Sequence, residues 1–113
     1  MLALRTSMMQ EKILHSMEAA MAVLSQSEID LLLKENPDWK LESGKLAREW
    51  TFKDFVEAMA FVNRVADLAE SAGHHPDIDI RYNKVRLGLI SHDAGGITTR
   101  DAKMAARLGR ELG

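Results

Sequence analysis

Cysteine is absent from the 113 residues. That excludes a disulfide scaffold, a thiolate metal site and a thiol nucleophile. An excess of basic charge is also missing: 15 Lys and Arg stand against 17 Asp and Glu, for a formal net charge of −2. General nucleic-acid or anionic-membrane binders rely on a basic surface, so neither a nucleic acid nor a membrane is expected as partner. Long hydrophobic runs are lacking. The early apolar stretch "AAMAVL" is far shorter than the roughly 20 residues that cross a bilayer, and no credible signal-peptide cleavage region accompanies it. No G-x-G-x-x-G, P-loop or readable Ser-His-Asp arrangement occurs, and no internal repeat or low-complexity linker. These exclusions predict a soluble, cytoplasmic protein with one domain and a modest core.

Residues 1–24 are rich in Met and Ala, with Met9, Ile13, Met17 and Met21 at roughly helical spacing. They have no obvious packing partner and are read as an N-terminal extension, helical or loosely ordered. Glu11 and Glu18 argue against a transit peptide, which is poor in acidic residues. The domain is placed at 25–113. Ser25 and Glu28 form a predicted capping box, Ile29, Leu32 and Leu33 an apolar stripe, and Asn36-Pro37 a helix end. "WKLESGKLAREWTF" reads as a β-hairpin turning at "ESGK". Asp54 caps the next helix, with Glu57 at the capping-box position. Phe55, Ala58, Met59, Val62, Val65, Ala66 and Ala69 follow the i, i+3, i+4, i+7 pattern, and Phe61 and Leu68 widen the stripe. Gly73 stands at the C′ position.

Ile78, Ile80 and Tyr82 alternate on one predicted strand, Val85, Leu87 and Leu89 on the next, with Asn83-Lys84 as the tight connection. Thr98 and Asp101 box the start of a last helix carrying Met104, Ala105, Leu108 and Leu112. The order α-β-β-α-β-β-α defines an α+β domain: a four-stranded, mostly antiparallel sheet with helices on one face.

The chain has four histidines, and two of them, His74 and His75, are adjacent between Gly73 and Pro76. His92 leaves the end of a strand, which this topology can bring to the same place. Histidine titrates near neutrality, so three imidazoles in one cleft suit proton transfer, with Glu70 and Asp101 as candidate orienting carboxylates. Each residue also has a plainer reading. His92 fits a surface position, the His pair a solvated loop, Glu70 a solvent-facing helix residue, and Asp101 a cap. A zinc site is disfavoured, because adjacent histidines point apart and no i, i+4 pair is present.

The spacing Glu70, His74-His75-Pro76, Tyr82, His92, Asp101 resembles the signature of the pterin-4a-carbinolamine dehydratases. The resemblance covers about residues 25–112, including "NPDW", "FKDFVEAMAFVNRVADLAE", "HHPDIDIRYNKVRLGLISHDAGG" and "TTRD". It implies a hydro-lyase that converts 4a-hydroxytetrahydropterin to quinonoid dihydropterin and water, without a cofactor, in tetrahydrobiopterin recycling. His74, His75 and His92 match the active-site histidines. Pro76 matches the proline beside the pterin, and Ser91, His92, Asp93 and Ala94 a second substrate-contacting segment. Glu70 and Asp101 match supporting acids. His74 and His92 are expected to move the protons, in roles left unassigned, while His75 binds and polarises the substrate. Gly73 and Ala94 depart from the Asp or Asn and the Cys of some members. The family also implies a homodimer or homotetramer.

Two other functions fit the same residues: the same chemistry on another pterin, for instance one linked to molybdenum cofactor metabolism, and a non-catalytic dimerisation partner of a transcription factor. The intact histidines argue against the second. Removing residues 1–24 is expected to leave activity intact.

Overall fold

A computed structural model describes residues 22–113. The helical spacing of Met9 to Met21 lies outside the described residues. Helix α1 (Gln26–Glu35) starts at the predicted capping box: the Glu28 amide donates to Ser25 Oγ at 3.2 Å and the Ser25 amide to the Glu28 carboxylate at 2.9 Å. The Ser25 donors, its backbone N–H first, hold the Glu28 carboxyl below its ordinary range. The helix ends at Asn36, whose backbone N–H and Nδ2 both donate to the Leu32 carbonyl.

Strands β1 (Lys40–Glu42) and β2 (Lys45–Thr51) form the predicted hairpin. Ser43 and Gly44, at φ +50° and +75°, make its two-residue turn, the doubly left-handed geometry that matches strand twist. Helix α2 (Phe55–Ala72) is capped by Asp54, which accepts from the Glu57 amide at 2.9 Å. Only half of the expected capping box forms there, because the Glu57 carboxylate reaches past Asp54 to the Lys53 amide at 3.2 Å.

Strands β3 (Asp77–Arg81) and β4 (Lys84–Leu89) are joined by Tyr82-Asn83, since Arg81 pairs with Lys84. The connection therefore falls one residue earlier than Asn83-Lys84, and Tyr82 is a turn residue at φ +54° rather than a strand residue. Asn83 explains the shift. Its Nδ2 donates to the Phe52 carbonyl at 2.9 Å and its carbonyl accepts from the Phe52 amide at 2.8 Å. These bonds tie the turn to the end of β2. Helix α3 (Thr99–Leu112) closes the chain.

The sheet is antiparallel throughout, in the order β1-β2-β4-β3. Cross-strand partners share a face. The register therefore puts Leu46, Trp50, Val85, Leu87 and Leu89 on the side covered by helices. Val65 of α2 and Leu108 of α3 meet them, both fully buried. Ile78 and Ile80 share this face but remain 39% and 37% exposed, because β3 is an edge strand. The opposite face is polar around Ala47 and Gly88, with Lys45–Asp77 and Arg86–Glu42 ion pairs across it. No described helix is long and apolar enough to cross a membrane.

We propose that the domain begins before Ser25, because Val23 and Leu24 contact it. The Leu24 amide donates to the Ile97 carbonyl at 2.8 Å, and Leu24 packs on the core. Val23 lies so close to Gly96 that a Cβ there would meet it at 2.9 Å. Truncations before residue 22 and after residue 24 are compared by their urea-melt midpoints. A cut after residue 24 removes the hydrogen bond and the apolar contacts, and is expected to cost about 1–2 kcal/mol. Equal midpoints for the two truncations would contradict this boundary.

Candidate active site

The C-terminus of α2 sets the position of His74. Gly73 adopts φ +64°, ψ +26°, a left-handed conformation that costs glycine little. Its amide donates to the Glu70 carbonyl and the His74 amide to the Ala69 carbonyl at 3.1 Å, the pairing that stops a helix abruptly. The backbone of His74 is therefore bonded to the helix it leaves, and Pro76 fixes φ two residues on.

His74 Nε2 lies 2.5 Å from Asp101 Oδ1, with the histidine side chain 11% exposed and the aspartate fully buried. The other oxygen of Asp101 accepts from the Thr98 amide at 2.8 Å and from Ser91 Oγ at 2.9 Å. Ser91 Oγ is also 2.8 Å from Thr98 Oγ1. The donor directions follow from the chemistry. An ionised carboxylate only accepts, so Ser91 gives its proton to Asp101, Thr98 gives its own to Ser91, and His74 presents an N–H at Nε2. Nδ1 is then the nitrogen of His74 that can take or give a proton.

Asp101 is thus both the predicted capping-box residue of α3 and the partner of His74 and Ser91. Three segments converge on one carboxylate: the end of α2, the turn that follows β4 and the start of α3.

The other expected residues are arranged differently. His75 Nε2 is 2.8 Å from Glu70 Oε2, but their side chains are 64% and 82% exposed. Pro76 is half-buried. His92 is exposed on a compact turn closed by the Ser91–Gly96 bridge and by bonds from the Ala94 and Gly95 amides to the Ser91 carbonyl. Asp93 pairs with Arg100 at 2.6 Å. That hydrogen bond holds the Asp93 carboxyl below its usual range and raises the Arg100 guanidinium. Ala94 is half-buried in the same turn.

A cleft of about 410 Å³ opens beside this network, lined by Ala72, His74, Met104 and Ala106 together with cationic residues of α3. His74 is the histidine in its wall; His75 and His92 lie outside the lining. Arg100 carried no expectation from the sequence, and Thr98 only that of a helix cap. Their signal was the run "TTRD", in which both precede the expected Asp101. Among the described residues, no group of three His, Asp or Glu is placed to hold a metal ion.

The structure is thus a small α+β protein in which a buried carboxylate holds one imidazole at a cleft, on a helix-covered antiparallel sheet. The family described as pterin 4 alpha carbinolamine dehydratase matches residues 22–110, and the chain belongs to that family. A protein provisionally named pterin-4-alpha-carbinolamine dehydratase from Acidobacterium capsulatum is 57% identical over 88 residues, covering 78% of this chain and 96% of that protein. A similarly named protein from Chloroflexus aurantiacus is 52% identical over 90 residues, covering 80% and 97%. The crystal structure of a transcriptional coactivator/pterin dehydratase from Brucella melitensis superposes with a TM-score of 0.74 at 33% identity, covering 80% of this chain and 99% of that one.

Replacing Asp101 by Asn tests the orientation directly. The amide oxygen can keep the Thr98 and Ser91 bonds, but its NH₂ would then face His74 Nε2. The imidazole must place its proton on Nδ1 instead. Asp101→Asn is expected to stay folded, to lose about 1–3 kcal/mol and to reverse the His74 tautomer seen in ring ¹⁵N chemical shifts. An Nε2–H tautomer that persists in the variant would refute the assignment.

Proposed function

We propose that the protein dehydrates 4a-hydroxytetrahydropterin to quinonoid dihydropterin by histidine acid–base catalysis, as part of tetrahydrobiopterin-type cofactor recycling. The observation that carries this reading is His74, fixed through Nε2 to the buried Asp101 while it lines a ligand-sized cleft.

The chemistry needs one proton removed and one delivered. In the proposed step, His74 Nδ1 takes the proton from N5 of the pterin. The N5 electron pair forms the C4a=N5 double bond as the C4a–O bond breaks. Protonated His92 gives its proton to the departing hydroxyl, and water leaves. No net oxidation occurs and no other reactant is consumed. Asp101 favours His74 as the acceptor, because a carboxylate at 2.5 Å stabilises the imidazolium that forms. His92 follows Ser91, which touches the same carboxylate, and its exposure allows exchange with solvent between turnovers. His75, which lies within 2.8 Å of Glu70, is assigned to binding and polarising the substrate. Pro76, Asp93 and Ala94 are assigned to flanking contacts with the pterin. The assembly is proposed to be a homodimer or homotetramer, and the location cytoplasmic.

Stopped-flow ultraviolet absorbance on freshly generated 4a-hydroxytetrahydropterin tests the reading. Wild type should accelerate dehydration well above background, and His74→Ala and His92→Ala should each lose roughly 10²-fold, equivalent to about 2.7 kcal/mol of barrier. A folded wild-type protein that leaves the background rate unchanged would remove the catalytic reading.

A further inference from the structure

The cleft beside His74 has a charge that the rest of the chain does not share. Arg100, Lys103, Arg107 and Arg110 line it, and no carboxylate does. The chain as a whole carries a net charge of −2, so the cleft is a local reversal. At 3.6 residues per turn these four positions fall within about 80° of arc, and they extend about 15 Å along α3. They form one cationic stripe with His74 in the same cleft wall.

Folding explains only part of the stripe. Arg100 is paired with Asp93 and Arg107 with Glu111, at 2.6 and 2.8 Å. Arg110, in the last turn, favours the negative end of the helix dipole. Lys103 has no such role. It sits three residues after Arg100 and four before Arg107, and like charges at these spacings oppose helix formation. Neither Lys103 nor Arg110 has a carboxylate within ion-pair distance among the described residues. Arg100 Nε is buried and has no hydrogen-bond partner there. Two cations without counter-charges, Lys103 and Arg110, beside two that are paired, in a ligand-sized cleft with no carboxylate in its lining, point to an anion that comes with the ligand.

We propose that this cleft selects a pterin whose side chain ends in a phosphate, with Lys103 and Arg110 as the specificity-determining residues. The inference rests on the reading that His74 faces the pterin ring. A ring at His74 sends its substituent along α3, where the stripe offers about 15 Å of cationic wall. A neutral polyol tail would leave these charges unanswered; a terminal phosphate answers them.

The test is equilibrium binding followed by pterin fluorescence at low ionic strength, where screening is weak. The probes are two fully oxidised pterins with the same three-carbon polyol tail, one carrying a terminal phosphate. Inorganic phosphate alone is the competitor. Wild type should bind the phosphorylated probe about tenfold or more tightly than the neutral one. In Lys103→Ala/Arg110→Ala the ratio of the two Kd values should fall to about one. Lys103→Gln, which keeps helix propensity, should give an intermediate ratio, with circular dichroism confirming the fold of each variant. A wild-type ratio near one overturns the proposal, as does a ratio that survives in the double variant. Inorganic phosphate binding as tightly as the phosphorylated pterin overturns it in favour of a free-anion site. These outcomes are separable from the dehydration assay. A preserved ratio without catalysis rejects the catalytic reading and keeps the subsite, and catalysis with a ratio near one does the reverse.

Discussion

The structure depends on one buried carboxylate. Removing an ionised group from water costs several kcal/mol unless its hydrogen-bonding capacity is met, and Asp101 is fully buried. It is tolerated because four groups are held in place for it. Thr98 N–H, Ser91 Oγ–H and His74 Nε2–H donate directly, and Thr98 Oγ supports Ser91 from behind. Each donor comes from a different kind of local structure: a helix cap, a turn after a strand and a helix exit. The requirement to satisfy Asp101 fixes the relative position of α2, β4 and α3 at their ends, while Val65, Leu87 and Leu108 fill the interior between them.

The same requirement separates the two adjacent histidines. His74 and His75 each put Nε2 within hydrogen-bond distance of a carboxylate, at 2.5 and 2.8 Å. Their surroundings differ. An exposed pair such as His75–Glu70 is screened by water and contributes little to stability or orientation. The His74–Asp101 pair is shielded from solvent, where the same Coulomb attraction is several times stronger. Gly73 and Pro76 provide the backbone turn that sends one ring inward and leaves the other outside.

Much of the fold was legible because its signals are local. Ser25 with Glu28 and Thr98 with Asp101 formed the expected capping boxes, "ESGK" turned as a hairpin, and the apolar spacing from Phe55 to Ala69 became α2. The deviations come from long-range partners that spacing does not reveal. Tyr82 was pulled into the turn because Asn83 bonds to Phe52, 31 residues away. Glu57 reached the Lys53 amide rather than that of Asp54, a choice between neighbouring donors that spacing alone leaves open. Leu24 joined the domain through the Ile97 carbonyl. Residue types also drew attention to His74, since adjacent histidines at a helix stop are unusual. They did not reveal that Asp101 serves as cap and histidine partner at once, because a cap is already a complete explanation of an aspartate at that position.

Charge shows the same limit in another form. The composition is nearly balanced, and that balance rules against a general polyanion binder. It is silent on where the charges lie. On α3 the apolar positions Met104, Ala105 and Leu108 turn toward the sheet. The basic positions are thereby placed on the flank that borders His74. Asp93 and Glu111 pair with Arg100 and Arg107, and other acidic side chains lie away from the cleft lining: Asp77 and Glu42 on the open sheet face, Asp101 inside, Glu70 beside His75. A chain with a slight negative charge can therefore present a cationic cleft, because burial and pairing decide which charges a ligand meets. The helix that supplies the buried carboxylate for His74 also supplies that cleft wall. Its core-facing side holds His74 in place, and its adjacent side sets the charge of whatever lies against it.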